Sequence, residues 1–377
     1  MGSLSSFSAP QLGALVVREA VRRAGLAPEE IDEVIMGQVI QAGSGQNPAR
    51  QTALGAGLPP AVAAMTVNKV CGSSLKAVVL AAQAIKLGDA ERIIAGGQES
   101  MSNGPYLLPK ARAGYRLGHG KMLDATVHDG LWDAYNDYHM GCTGEVVAER
   151  FDVGREQQDA WSLRSHERAA ATADAGGFEA EILPVSVTRR KGDPVVLSRD
   201  ESIRDDTSAE ALGRLRPVFK PEGTVTAGNA PGVNDGASAV CVMSEQEALA
   251  RGIEPLARIV AYATSGIEPE LVMMAPLKAV EMVLDKSGWD RAEVDLFELN
   301  EAFAVQAVAL VRELGIDVER VNVRGGAVAL GHPIGASGTR ILTTLLYALR
   351  DRGARRGIAA MCLGGGNAVA MAVERSD

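Results

Sequence analysis

The stretch VNKVCGSSLKAVVLAAQAIKLG, Val67 to Gly88, decides the fold because it joins a β-branched segment to a helix that is apolar on nearly every side. Such a helix lies between layers of a protein rather than on its surface. The neighbouring segments EVIMGQVI, AMTVNKV and RIIAGG are predicted strands, and the helix over 72–87 ends at Gly88. This alternation predicts an α/β protein with a mainly parallel sheet covered by helices on both faces.

The opening pattern returns after residue 254. VDLFELN and GIAAMCL are predicted strands, and EAFAVQAVALVREL is a predicted helix that ends before Gly315. Both halves also close alike, since AGNAPGVNDGASAVCVMS and LGGGNAVAMAVE each pass from a glycine-rich turn into an alternating strand. We interpret this as an internal duplication. Two similar halves would place a site at their junction, where strand ends and helix N-termini converge.

The middle of the chain, from 102 to 222, has a different character. It is polar and holds four of the five histidines, with a predicted helix over 155–173 and a predicted exposed turn at TRRKGD. We interpret it as an insertion that forms a lobe over the first half. The predicted domains are therefore 1–101 plus 223–250, the inserted 102–222, and 251–377.

Composition restricts the function classes. A length of 377 residues predicts two or three domains, and a formal net charge of −9 argues against nucleic acid or a membrane as partner. The four cysteines show no CxxC spacing and no metal-site pattern, which suits free thiols in a reducing compartment such as the cytoplasm. We expect no metal, and we find no run of ~18 apolar residues that predicts a transmembrane helix.

Cys71 lies at the boundary between a predicted strand and a predicted helix. A helix N-terminus lowers a thiol pKa from about 8.5, because unpaired N–H groups and the helix dipole stabilise the thiolate. This position predicts a nucleophile. A buried structural cysteine fits the same position equally well, since free cysteine is among the most buried residue types.

Three further segments contain residues that could perform chemistry. His332, in GGAVALGHPIGASG, is a candidate base in a rigid loop, or a core histidine satisfied by backbone groups. Cys362, in MCLGGGNA, precedes a turn whose N–H groups could form an oxyanion hole, or it is a buried strand cysteine. Asn300, in ELNEAFA, could act in a site or could cap a helix that begins at Glu301.

Taken together and in order, NKVCGSSLKA, NEAFA, GGAVALGHPIGASG and MCLGGG resemble the signatures of the thiolase family. GQNPARQ, AGGQESMS, YHMG and GNAPGVNDGA are also similar to that family, so the resemblance covers essentially the whole chain. It implies the thiolase-like duplicated α-β-α-β-α layered fold with an inserted loop domain. It also implies an enzyme that acts on acyl-CoA substrates and needs no cofactor.

The resemblance implies a role for each residue of the site. Cys71 would be the nucleophile that becomes acylated, and His332 the base that activates it. Cys362 would exchange the proton of the α-carbon, which a thiol of pKa near 8.5 can do at neutral pH. His332 and a water held by Asn300 would stabilise one oxyanion, and the N–H groups of Cys71 and Gly364 the other. The implied reaction is the reversible, ping-pong condensation of two acetyl-CoA to acetoacetyl-CoA and CoA.

The resemblance also makes the inserted lobe a CoA-binding domain. His139 and Met140, in YHMG, match positions near the pantetheine and acyl end of CoA. Arg204 matches a position near the adenine, and Phe219 and Ala227 match positions that line the pocket. The remaining histidines of the lobe are expected to be solvated: His119, His128 and His166.

The sequence departs from the family pattern in three places. Arg324 stands where asparagine is usual, and Pro231 stands where serine is usual in a turn expected near the pantetheine. The first strand of the family's first half is missing ahead of GSLSSF, which predicts an exposed sheet edge. The segment Leu107 to Leu131 aligns with the family's tetramer-forming loop, so the resemblance implies a homotetramer.

Other functions remain open at this point. A decarboxylating ketoacyl synthase shares the fold but commonly uses a Cys-His-His set, whereas after Arg168 this chain has only His332 and keeps Cys362. A degradative 3-ketoacyl-CoA thiolase would act on longer chains, although YHMG favours the short-chain type. A CoA-binding protein inactivated by the missing strand is the third alternative.

Overall fold

Two four-stranded sheets form the centre of the computed structural model, which describes residues 2–188 and 192–376. Residues 189–191 of the predicted turn TRRKGD therefore lie outside the described residues. The strands are β1 Glu33–Gly37, β2 Ala63–Val67, β3 Arg92–Ser100, β4 Tyr106–Leu107, β5 Leu123–Asp124, β6 Trp132–Asp133, β7 Tyr138–His139, β8 Val185–Val187, β9 Val195–Leu197, β10 Asp235–Met243, β11 Arg258–Gly266, β12 Leu296–Leu299, β13 Arg356–Leu363 and β14 Asn367–Glu374. The helices are α1 Ala9–Arg23, α2 Pro48–Gly55, α3 Ser73–Leu87, α4 Met140–Arg150, α5 Arg155–Asp174, α6 Ala209–Gly213, α7 Glu245–Arg251, α8 Ala275–Ser287, α9 Ala304–Leu314, α10 Ala327–Leu330 and α11 Ser337–Asp351.

Each half of the chain builds one mixed sheet. In the first sheet, with the order β10-β3-β1-β2, strands β1 to β3 are parallel and β10 is antiparallel to β3. In the second, with the order β11-β14-β13-β12, β12 and β13 are parallel and β14 is antiparallel to both of its neighbours. The prediction of a mainly parallel sheet is thus only partly right. The short glycine turn between β13 and β14 can join only antiparallel strands, because a parallel connection needs a crossover of a dozen residues or more.

The helices pack their apolar faces against the two sheets and so form alternating layers with them. α3 and α11 pack between the two sheets, with Leu75 and Ile341 in the same buried cluster as Ile93 and Met361. α1 and α2 cover the outer face of the first sheet. α8 and α9 cover the outer face of the second. The chain therefore has the duplicated α-β-α-β-α layered fold that the sequence predicts.

The central position of α3 explains its unusual composition. By length and composition alone, the segment Val70–Leu87 could cross a membrane, since its mean hydropathy is 1.4 over 18 residues. We expected no segment of this kind from the sequence. Leu75, Val78 and Ala81 are instead fully buried between the two sheets. A helix covered on both sides needs apolar residues on all its faces.

The two sheets differ at one edge. In the second sheet β11 pairs with the outer edge of β14. In the first sheet β10 occupies the position that β14 has in the second. Among the described residues, no strand pairs with the outer edge of β10. A cavity of about 1560 Å³ runs along this edge, lined by β10 and by residues of α1 such as Leu12 and Val16. The sheet edge is thus open, as the sequence led us to expect.

Arg324 connects the lobe to the second half. Its guanidinium pairs with Glu181 at 3.2 Å and with Asp351, and donates to the carbonyls of Gly177 at 2.7 Å and Tyr347 at 3.2 Å. Because Arg324 is 7 % exposed, these partners replace the water that it loses. Arg324 is therefore a structural residue at the junction of the lobe and α11. The domain boundaries at 101, 222 and 250 stay predictions.

We expect Arg324→Met to lower the free energy of unfolding by about 3 kcal/mol at pH 8, since it leaves the buried Glu181 carboxyl without its cation. Urea unfolding at fixed protein concentration measures the change. The control is Arg22→Met, which removes an ion pair with Glu19 on an arginine that is 70 % exposed, and which should leave the midpoint in place. Equal midpoints for the two variants would contradict the structural role of Arg324.

Candidate active site

Cys71 lies in a strained turn between β2 and α3. The preceding residue, Val70, has a φ of 47°, a left-handed conformation that β-branched residues rarely adopt. The hydroxyl of Ser73 accepts from the N–H of Lys69 at 2.8 Å and donates to the carbonyl of Val70 at 2.6 Å. These bonds hold the turn, so that Cys71 is presented at the N-terminal end of α3, next to its N-cap Gly72.

The glycine turn after β13 packs directly against this turn. The backbone N–H groups of Gly364 and Cys71 lie close enough to the Cys71 sulfur to lower its pKa. A Cβ atom added at Gly72 would collide with the side chain of Leu363, and one added at Gly364 would lie 3.3 Å from Val70. The two halves can approach this closely only because glycine occupies these positions.

The ionisation of Cys71 differs from our expectation. Although part of the residue stays accessible, the surrounding protein desolvates its sulfur and raises the pKa to about 12. The N–H groups of Gly364 and Cys71 act in the opposite direction, but burial is the larger effect. The prediction of a lowered pKa was wrong, because it counted the helix N-terminus and ignored desolvation. Cys71 is a thiol at rest.

Cys362 ends β13 and is buried, with 4 % of its surface exposed. Burial raises its thiol pKa, and the neighbouring Cys71 thiol raises it further. Its own N–H and the side chain of Gln306 act in the opposite direction. The expected value near 8.5 was therefore too low. The mutual influence of the two sulfurs indicates that distant parts of the chain bring them together.

His332 is buried in the loop between α10 and α11, and its ring has one defined tautomer. Nδ1 lies 2.6 Å from the hydroxyl of Ser337, which itself donates to the carbonyl of Pro333 at 2.9 Å. Ser337 must therefore accept from Nδ1–H, which leaves the lone pair on Nε2. Burial, assisted by the charge of Arg340, lowers the His332 pKa to about 3. The imidazole is neutral at pH 7 and can accept a proton.

The loop that carries the imidazole is fastened to the first half of the chain. Gly335 N–H donates to Glu99 at 2.9 Å, and Thr339 N–H donates to the Ser74 hydroxyl on α3 at 2.9 Å. Glu99 also acts electrostatically on Cys71. The nucleophile turn and the imidazole loop thus share the same supports.

Asn300 follows β12 beside the end of β13. Its N–H donates to the carbonyl of Ala360 at 3.0 Å, and β12 and β13 are parallel neighbours, so Asn300 lies near Cys362. Helix α9 begins only at Ala304, with Phe303 as its N-cap. The alternative that Asn300 caps a helix starting at Glu301 is therefore wrong.

Several buried polar atoms in this region have no hydrogen-bond partner. Among the described residues, both amide atoms of Asn300, Nε2 of His332 and Nε2 of Gln306 are buried with no hydrogen-bond partner of good geometry. Leaving a buried polar atom unpaired costs about 1–3 kcal/mol. Such groups persist where a bound molecule supplies the missing partner, which identifies this region as the candidate active site.

Three of the residues expected to bind CoA form one group. The rings of His139 and Phe219 stack at 4.7 Å, and Phe219 meets Phe303 edge to face at 6.4 Å. Met140 packs against the buried cluster that contains Phe303 and Cys362. The lobe thus packs Met140 and Phe219, with the His139 ring stacked on Phe219, against the core of the second half.

The other two expected contacts lie apart from this group. Ala227 is exposed in the loop before β10, and Arg204 is exposed in the wall of the large cavity. The N–H of Arg204 donates to Nδ1 of His166 at 3.2 Å. His166 is 4 % exposed, so its interpretation as a solvated side chain was wrong. Pro231 is half-buried in the same loop as Ala227, and nothing in the structure explains it.

Reasoning from the sequence missed several residues of the site. Ser337, which orients the imidazole, and Glu99, which holds its loop, were not singled out. Gln306 was treated only as part of a helix. A signal existed for Ser337 alone, since a hydroxyl five positions after His332 in a rigid loop is placed to reach the ring.

Comparison with known proteins agrees with the fold and the order of the motifs. Residues 1–246 match the family described as Thiolase, N-terminal domain, and residues 253–375 match Thiolase, C-terminal domain. The chain is 54% identical over 374 residues to the acetyl-CoA acetyltransferase of Allochromatium vinosum, covering 99% of this chain and 95% of that protein. It is 55% identical to the acetyl-CoA acetyltransferase of Chromobacterium violaceum, with the same coverage.

A solved structure is also closely similar. The acetyl-CoA acetyltransferase of Bacillus anthracis superposes with a TM-score of 0.96 and is 43% identical, covering 99% of this chain and 94% of that chain. The likeness therefore extends through both sheets and the lobe.

The raised pKa of Cys71 predicts how its thiol reacts with iodoacetamide. Because the thiolate is the reactive form and the pKa is about 12, alkylation should accelerate about tenfold per pH unit between about pH 7 and pH 10, without a plateau. Quantitative mass spectrometry of the Cys71 peptide measures the rate. The same cysteine in urea-unfolded protein is the control, and its rate should level off near pH 9. A plateau at pH 7 in the folded protein would show a resting thiolate and contradict this description.

Proposed function

The chain belongs to the thiolase family, and we propose that it catalyses the reversible condensation of two acetyl-CoA to acetoacetyl-CoA and CoA through an acetyl-Cys71 intermediate. The observations that carry this proposal are the proximity of the Cys71 and Cys362 thiols and the buried, unpaired Nε2 of His332, which precedes a helix bound to the start of α3. Two sulfurs and a neutral base suit a reaction with one acyl transfer and one carbon-acid step. The relatives named acetyl-CoA acetyltransferase favour the two-carbon acyl group.

In the first step, the Cys71 sulfur attacks the thioester carbon of acetyl-CoA. His332 Nε2 takes the thiol proton as the S–C bond forms and then delivers it to the departing CoA sulfur, which leaves as CoASH. The pKa of about 12 for the thiol and about 3 for the imidazole disfavour a resting ion pair. The proton therefore moves together with the attack, and the step ends with acetyl-Cys71.

In the second step, Cys362 removes a proton from the methyl carbon of a second acetyl-CoA. Cys362 must first lose its own proton, and His332, neutral at rest, is the base that can hold it. The carbanion attacks the carbonyl carbon of acetyl-Cys71, a C–C bond forms, and the Cys71 sulfur departs with the electron pair. It recovers a proton from His332, while Cys362 keeps the proton taken from the methyl group.

Each step develops negative charge on a thioester oxygen, and two groups of donors are available for it. The N–H groups of Cys71 and Gly364, which lie near the Cys71 sulfur, would hold the oxyanion on the acetyl-Cys71 side. The unpaired amide of Asn300, through a water, would join His332 in holding the other once Nε2 has taken up the thiol proton and can donate. Asn300 and His332 are buried, where a hydrogen bond to a charge is stronger than in water.

The proposal extends to substrate binding. His139, Met140 and Phe219, grouped beside the second half, would contact the pantetheine and acyl end of CoA. Arg204 would lie near the adenine, and Ala227 would line the pocket. The chemistry needs no cofactor or metal, since the thiols and the imidazole perform each transfer. The free thiols at four described positions support a reducing, cytoplasmic compartment.

We also propose a homotetramer, assembled in part through the loop between β4 and α4. Exposed apolar side chains that form a patch indicate an interaction surface. The loop and its flanks carry these exposed side chains: Tyr106, Leu108, Tyr115, Leu117 and Met122.

The acylation step predicts a covalent adduct. Incubation with acetyl-CoA should add one acetyl group to the Cys71 peptide, as measured by mass spectrometry. In Cys362→Ala the adduct should form at the same rate, whereas acetoacetyl-CoA production should fall by at least about a thousandfold, because the carbon acid has lost its base. Cys241→Ala, a partly buried thiol in the first sheet, is the matched control and should keep both steps.

Two results would oppose this proposal. A correctly folded protein without an adduct would be a CoA-binding protein and not an acyltransferase. Normal condensation by Cys362→Ala would remove the acid/base role from Cys362.

The assembly predicts a native mass of about four times 39.4 kDa by light scattering. Leu117→Asp should reduce that mass while each chain stays folded, because it places a charge in the apolar loop. Leu87→Asp, a leucine 77% exposed at the end of α3, is the control and should not change the mass. A native mass of one chain for the unaltered protein would contradict the tetramer.

A further inference from the structure

We propose that Gln306 is a positioning residue for Cys362, donating a hydrogen bond from its side-chain amide to the sulfur when that sulfur carries negative charge. This inference rests on the proposed function, in which Cys362 removes a proton from a methyl carbon.

Gln306 occupies an unusual place for an amide side chain. It lies in the first turn of α9 and is 0 % exposed. Its neighbours Ala307 and Leu310 belong to the apolar cluster that also contains Cys362. Burying an amide here is costly unless both its ends have partners.

One end of the amide has a partner that fixes its orientation. Oε1 of Gln306 accepts from the N–H of Ala302 at 2.9 Å, just ahead of the helix. Because the amide oxygen is held in this way, the NH₂ group must face the opposite direction. This contact alone would be a helix cap, which glutamate could make equally well.

The other end of the amide faces the thiol. Nε2 is buried and has no hydrogen-bond partner of any kind in the part of the chain that the structure describes. It does lie close enough to Cys362 to lower the pKa of that thiol, against the opposing effects of burial and of Cys71. A donor aimed at a buried sulfur gains strength when the sulfur becomes an anion, because charge-assisted hydrogen bonds are about twice as strong as neutral ones.

Two substitutions separate donation from capping. Gln306→Glu keeps an acceptor for Ala302 but replaces the donor with a carboxyl group. Gln306→Met keeps the length of the side chain and loses both functions. If the amide only capped α9, the glutamate variant would behave like the unaltered protein and only the methionine variant would be impaired.

The experiment measures the two half-reactions separately. Acetylation of Cys71 is followed by intact-protein mass spectrometry after mixing with acetyl-CoA. Proton exchange by Cys362 is followed as deuterium incorporation into the methyl group of acetyl-CoA in D₂O, across pH 6 to 9 (an assay range, roughly that over which thiols titrate). Gln158→Met is the control, since Gln158 is also a fully buried glutamine, on α5, with its Nε2 bound to the carbonyl of Val153 at 3.2 Å.

We expect both Gln306 variants to acetylate Cys71 at close to the unaltered rate. Deuterium exchange should fall by about tenfold to a hundredfold, with its pH profile moved to higher pH, because the thiolate has lost a donor. The Gln158→Met control should keep both rates. Exchange by Gln306→Glu at the unaltered rate would overturn the inference, and so would a parallel loss of acetylation and exchange in both variants. Absence of Cys71 acetylation in the unaltered protein would instead refute the proposed function.

Discussion

The close approach of the N-terminal ends of α3 and α11, between the two sheets, is the constraint on which the site depends. A Cβ atom added at Gly338 would come within 2.5 Å of the Leu75 nitrogen, and one added at Gly97 would collide with the Gly335 carbonyl. Small residues therefore let the two helix starts and the intervening loop occupy the same space. The Thr339 N–H bond to Ser74 then fixes their register. The first half of the duplicated fold thereby places Cys71, and the second half His332, at the ends of two helices that are in contact.

Burial at this junction keeps the two thiols and the imidazole neutral at rest. Desolvation raises the thiol pKa of both Cys71 and Cys362, and lowers the imidazole pKa of His332. We therefore propose that the reactivity of the site comes from proton transfers that accompany bond formation and not from a resting thiolate. The same burial leaves polar atoms of Asn300 and His332 without hydrogen-bond partners. In the proposed reaction, an oxyanion or a water supplies the missing partner.

Local patterns in the sequence predicted local structure well. The helix expected over 72–87 is observed as Ser73–Leu87, and its all-round apolarity correctly placed it between layers. Periodicity could not show that two mixed sheets, and not one parallel sheet, enclose it, because strand direction depends on connections far along the chain. The start of α9 was misplaced by three residues, which is why Asn300 looked like a cap.

The chemistry was less accessible from the residues alone. Cys71, Cys362 and His332 each had a structural alternative, and their assignment came from the order of motifs shared with a family. Ionisation could not be predicted, since it depends on tertiary burial around each sulfur. The sequence could not indicate a role for Gln306, because that role depends on the direction in which its own side-chain amide is held.

The central claim is that two sulfurs and one imidazole from separate halves act on a single thioester. A crystal structure of the protein soaked with acetyl-CoA tests it directly. We predict an acetyl group on Cys71 Sγ, its oxygen at the N–H groups of Cys71 and Gly364, and the Cys362 sulfur within about 4 Å of the bound methyl group. An acetyl group on another residue, or a Cys362 sulfur directed away from the thioester, would contradict it.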